Sequence, residues 1–128
     1  MLSRFVLICA GGAVGTGIRY ATGLLAISWL GAGFPYGTLA VNLAGAFLIG
    51  LIQQLAGSVI PEATRLFLVV GVMGGMTTYS AFTYETVRLM TLAEWGKAWT
   101  NVVVTTGLCL ILCWLGMAAG RVVTGPSS

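Results

Sequence analysis

The 128-residue chain contains no histidine, and its charged side chains make up only 7% of the total, six basic residues and three acidic ones. Soluble domains carry about 25% charged residues, so this is not the balance of a soluble protein. Without histidine the most versatile general base and metal ligand is missing. No carboxylate pair, Gly-x-Ser-x-Gly elbow or phosphate-binding glycine loop is present either. These absences argue against an enzyme. The net charge of +3 is modest, and no basic cluster offers a surface for nucleic acid. Cysteine is scarce and odd in number: Cys9, and Cys109 and Cys113 one helical turn apart. With no histidine or nearby carboxylate to join them, they read as small apolar packing residues and not as a metal site.

What is present is oil. Hydrophobic residues make up 58% of the chain, gathered into four runs at about 5–27, 38–55, 65–90 and 97–123. Each is near the ~20 residues a helix needs to cross a bilayer. The expectation is an all-α membrane protein, one four-helix unit over 1–128. The opening MLSR and its apolar run superficially resemble a secretory leader. The run outlasts the roughly 7–15 residues of a leader's apolar core and lacks a convincing cleavage site, so it reads as the first permanent helix.

The connectors are short. Gly31, Gly33 and Pro35 separate the first two spans, with Trp29 and Tyr36 suited to the interface. Pro61-Glu62 suits the first turn of the third helix. Thr91-Leu92-Ala93-Glu94 has the pattern of a capping box for the fourth. The tail Gly125-Pro126-Ser127-Ser128 is expected to fray. Arg4, Arg65 and Arg121 fall on the amino-terminal side of the bundle, and Arg19, Arg88 and Lys97 on the other. That even count gives no orientation by the positive-inside rule. Insertion either way up, with antiparallel pairing, explains it; so does an Arg19 that lies within its span and does not count. Gly11 and Gly15, Gly71 and Gly75, and Gly116 and Gly120 repeat at four-residue spacing, favouring tight helix packing or a dimer.

Polar residues inside the spans carry the functional signal. Asn42 interrupts the second span, and Asn101, Thr105, Cys109 and Cys113 recur every four residues in the fourth. That stripe fits helix–helix hydrogen bonding and a wet, ion-conducting track equally well. Glu85 is the one acid within a span, a functional candidate, although Arg88 at helical spacing offers it a structural ion pair. In GVMGGMTTYSAF, residues 71–82, Gly74-Gly75 ahead of Thr77 and Thr78 would let the third helix break at mid-depth. Broken backbone there must be buried in protein or line a cavity, where its freed groups can bind ions. Tyr79 and Phe82, three apart, project to one side, and ring edges are electropositive.

These segments resemble the small fluoride channels, the Fluc or CrcB type. The similarity runs almost end to end through GGAVGTGIRY (11–20), GTLAVNLAGAFLIG (37–50) and GVMGGMTTYSAFTYE (71–85). The resemblance implies an antiparallel, dual-topology homodimer in the bacterial cytoplasmic membrane, with two fluoride pores that each draw on both subunits. Asn42 matches the family's pore asparagine, Phe82 one of its two box phenylalanines, and Ser80 a polar pore residue. Tyr79 stands where the second phenylalanine is usual, and Ala81 where a threonine is. Asn101, Thr105, Cys109 and Cys113 follow the family's polar track, with thiols in place of stronger hydroxyl donors. Glu85 corresponds to the acid beside the track and Arg19 to the vestibule arginine. The family also holds a central sodium ion by backbone carbonyls, here those of Gly74 and Thr77 from each subunit; no organic cofactor is implied.

Two rivals remain in view. Small dual-topology exporters that trade organic cations for protons match the size and charge balance, but need a carboxylate in the first helix. No acid occurs between Met1 and Pro61. A non-transporting assembly protein would be served by the glycine pairs alone.

Overall fold

The computed structural model describes residues 1–125; residues 126–128, most of the tail expected to fray, lie outside them. Four helical runs are long and apolar enough to cross a membrane: Leu2–Leu30, Tyr36–Leu55, Glu62–Thr91 and Trp95–Thr124. No strand occurs among the described residues. At ~1.5 Å per residue the longer runs reach about 45 Å, against a hydrocarbon core of about 30 Å, so their ends stand at headgroup level.

The third run is composite. It begins as α-helix over Glu62–Arg65, widens to π-helix over Leu66–Met73 and closes with one α turn over Gly74–Met76. Thr77 (φ −84°, ψ 154°) and Thr78 (φ −154°, ψ 120°) are extended, and helix resumes over Tyr79–Thr91. The glycines are not the residues that leave the helix, since Gly74 keeps helical dihedrals of −59° and −38°. They serve close approach instead. A Cβ on Gly75 would strike the Gly12 carbonyl, one on Gly11 the Phe67 carbonyl and one on Gly15 the Val72 carbonyl. Both glycine pairs thus press the first helix onto the third. Gly116 meets the Phe47 carbonyl and Gly120 the Gln54 side chain, pressing the fourth helix onto the second. All three spaced pairs are used inside the subunit.

The anticipated capping box at 91–94 does not form. Ala93 takes a left-handed φ of 60°, and the amides of Leu92, Ala93 and Glu94 return to the carbonyls of Arg88, Met90 and Leu89. That wrap closes the third run, so Thr91 belongs to its last turn and donates its hydroxyl to the Arg88 carbonyl at 2.7 Å. Glu94 does precede the fourth helix, but without a side-chain cap, and pairs with Lys97 at 2.7 Å.

Few apolar side chains are buried, and Val41, Val72, Met73 and Met76 cluster together, with Leu48, Phe67 and Leu68 packed against them. This cluster sits where the second and third helices cross, beside the extended pair.

Candidate functional site

Extended backbone inside a bundle needs partners, and Asn42 supplies them. Its Nδ2 donates to the Thr78 carbonyl at 3.1 Å, and its Oδ1 accepts the Thr78 N–H at 2.9 Å. One amide therefore satisfies both backbone groups of a residue outside any helix, which otherwise would cost about 1–3 kcal/mol each if buried. Close approach is possible because position 45, one turn on, is glycine: a Cβ there would overlap the Thr77 methyl. Thr78 in turn caps the helix that follows, accepting the Ala81 N–H at 3.2 Å. Of its two amide hydrogens Asn42 uses one on Thr78 and keeps one.

A cavity of about 460 Å³ opens at this joint. Its walls bring together Asn42, Gly74, Thr77, Tyr79, Phe82, Thr105 and Cys109 from three helices. The rings of Tyr79 and Phe82 lie 5.6 Å apart, inclined at 50°, an arrangement that turns edge toward face. Apart from backbone, the wall is largely aliphatic, through residues such as Ile49, Val69, Met73 and Leu110, with amide, hydroxyl, thiol and aromatic groups set among them and no formal charge. It can host a small ion that is held by weak, neutral contacts and released again.

The other sequence-derived candidates lie off this wall. Ser80 is exposed and shares a hydrogen bond with the Thr78 hydroxyl at 3.2 Å. Asn101 is buried and bonded to Thr86 and Thr105, and Cys113 faces the second helix, its carbonyl against Gly50. Arg19 donates its Nε to the Gly75 carbonyl at 3.1 Å, tying the first helix to the third just ahead of the extended pair. Glu85 forms no ion pair with Arg88. It accepts the Thr38 hydroxyl at 2.7 Å and lines a second cavity of about 300 Å³, below the connector at 31–37. The ion pairs among the described residues are Glu62–Arg65 and Glu94–Lys97. Thr38 and Thr86 escaped the sequence reading; Thr78 was read there as part of the break and not as a helix cap, although a hydroxyl directly ahead of a helical stretch carries that signal.

Cation binding by side chains is not provided for, since no cluster of three or more acidic, cysteine or histidine residues occurs among the described residues. Backbone oxygen is available. The Thr78 N–H, which a continuing helix would aim at the Gly74 carbonyl, goes to Asn42, and the Thr77 carbonyl takes no hydrogen bond among the described residues. Two such neutral oxygens fit a hard monovalent cation.

Residues 6–117 match the family described as CrcB-like protein, Camphor Resistance (CrcB). A Thermus thermophilus protein named fluoride-specific ion channel FluC is 45% identical over 97% of this chain and 100% of its own. Proteins of the same name from Geobacter metallireducens (44%, over 91% and 95%) and Sorangium cellulosum (43%, over 94% and 96%) are similar throughout. With the family's pattern spanning nearly its whole length and four helices able to cross a membrane, the chain belongs to the CrcB family.

Proposed function

We propose that this chain is a fluoride channel of the bacterial cytoplasmic membrane, a multi-pass protein and not an enzyme, which lets fluoride leave the cell down its own gradient. The observation that carries the reading is the Asn42 clasp on Thr78, set in a cavity with Tyr79 and Phe82, in a chain whose relatives are named fluoride-specific channels. Fluoride is small and strongly hydrated, so a pore must replace its water with hydrogen bonds or leave the charge unpaid in an apolar medium. A fixed cation in mid-pore would bind it too tightly for exit. The spare amide hydrogen of Asn42 and the ring edges of Tyr79 and Phe82 are donors without charge. Cys109 and Thr105 continue the path along the fourth helix, with Ser80 and Glu85 toward its ends and Arg19 in the vestibule.

The pore is completed by a second, antiparallel copy. Tyr79 is 81% exposed on the single subunit, so one of the two rings has no covering wall until a partner provides it, and the even distribution of basic residues suits insertion both ways up. A sodium ion between the copies, held by the Gly74 and Thr77 carbonyls of each, would supply a fixed positive charge that knits the two interrupted helices together. Liposomes loaded with fluoride or chloride and carrying only the purified protein test the assignment. Fluoride is expected to escape while chloride stays; equal release, or no release of fluoride, rejects it.

A further inference from the structure

Asn101, 2% exposed, is the largest fully buried side chain of the described residues, and it is polar. The hydrogens around it can be assigned in only one way. The Phe82 carbonyl can only accept, so the Thr86 hydroxyl, 2.7 Å away, gives its single hydrogen there. Thr86 Oγ1 can then only accept from Asn101, which turns the amide nitrogen toward Thr86 at 2.9 Å and the amide oxygen toward Thr105. That oxygen also only accepts, so Thr105 gives it its own hydrogen across 3.1 Å. The orientation of the amide, ordinarily ambiguous, is thus dictated by a backbone carbonyl at the far end of the chain of bonds. Thr105 lines the same cavity as Asn42, Tyr79 and Phe82, and its one hydroxyl hydrogen is committed to Asn101.

We propose that Asn101 is a positioning residue of the pore. By holding the Thr105 hydrogen it keeps that hydroxyl from gripping the anion, and through Thr86 it braces the turn that carries Phe82. The track is graded by this device: a strong donor is withheld opposite the Asn42 amide, and the neighbouring Cys109 thiol is a weak one. Weak contacts on one wall favour exit, which conduction requires as much as entry. This rests on the fluoride-channel reading above.

Initial fluoride efflux from liposomes, measured against fluoride concentration, separates the possibilities. In Thr105→Val the hydroxyl is removed while Asn101 stays, and this single variant is the reference for the double one. A rise in its half-saturating fluoride toward the roughly ten- to hundredfold that follows loss of a hydrogen bond to a charged group overturns the inference. In Asn101→Leu the Thr105 hydrogen is released to the cavity; half-saturation is expected to fall several-fold with a slower maximal rate. In the double variant Asn101→Leu/Thr105→Val that tightening is expected to disappear. A tightening that survives in the double variant, or an Asn101→Leu channel with unchanged or weaker half-saturation, assigns Asn101 a packing role alone. If Asn101→Leu does not assemble on sizing, Asn101→Val, which removes the amide with less bulk, takes its place in the same comparison. Wild-type liposomes that release no fluoride would defeat the channel reading itself, a separate result.

Discussion

Asn42 does two jobs with one amide: it satisfies the extended Thr78 and it leaves a hydrogen for the cavity. Asn42→Ala should therefore remove both, and fluoride efflux should fall by well over tenfold, the loss of a hydrogen bond to a charged group. Sizing in detergent should show the assembly intact, because no other residue hangs on this amide. Phe82→Ala should likewise abolish flux without dissolving the assembly. Asn42 was legible in the sequence as an amide interrupting the second apolar span. The fourth-helix stripe was only half legible. A four-residue step advances a helix by about 40° beyond a full turn, so over the twelve residues from Asn101 to Cys113 the stripe rotates by about 120°. Thr105 and Cys109, at its middle, line the cavity; the two ends turn away, Asn101 into the buried contact with Thr86 and Cys113 toward the second helix.

Among the elements, close approach of the first and third helices depends on backbone meeting backbone. Gly15→Ala would put its Cβ on the Val72 carbonyl, whereas Gly17→Ala meets nothing within 4 Å. The first should lower the apparent stability by about 1–3 kcal/mol, the usual cost of overpacking, and the second should raise it slightly through helix propensity. Thermal unfolding in one detergent compares the pair directly; equal melting temperatures would show that the helices separate at no cost. The spacing of these glycines was plain from the sequence, but spacing cannot name a partner, and the choice between intrachain packing and a dimer was settled by which carbonyls face them. The 91–94 turn misled for a related reason. A Thr-x-x-Glu pattern is read as the start of the following helix, yet the left-handed Ala93 makes it the end of the preceding one. Composition cannot foresee that, since alanine gives no hint of a positive φ.

As a whole molecule the subunit is unusually open. Few side chains are buried, and large apolar residues such as Leu110, Trp114 and Val122 are exposed, as suits a bundle that faces lipid on one side. Tyr79 and Tyr84 are exposed as well, on the half-helix that follows the extended pair, where an antiparallel copy would cover them. The sodium proposed between the copies predicts a linkage. Replacing sodium with a bulky organic cation should lower the melting temperature of the assembly, because a ligand bound only by the folded form stabilises it in proportion to its occupancy. Adding sodium back should restore it; indifference to sodium would remove the ion from the account. Four spans were visible at once from hydropathy, but the cavity was not, since it is made by three helices that the sequence leaves unordered in space.

Neutral donors at an interrupted helix should admit fluoride and refuse chloride. A planar bilayer holding the purified protein, with fluoride tenfold higher on one side and chloride replacing it on the other, measures this as a reversal potential. Reversal is expected close to the equilibrium potential of fluoride, with current cut by well over tenfold in Asn42→Ala. A reversal near zero, with chloride carrying as much current as fluoride, would contradict that selectivity.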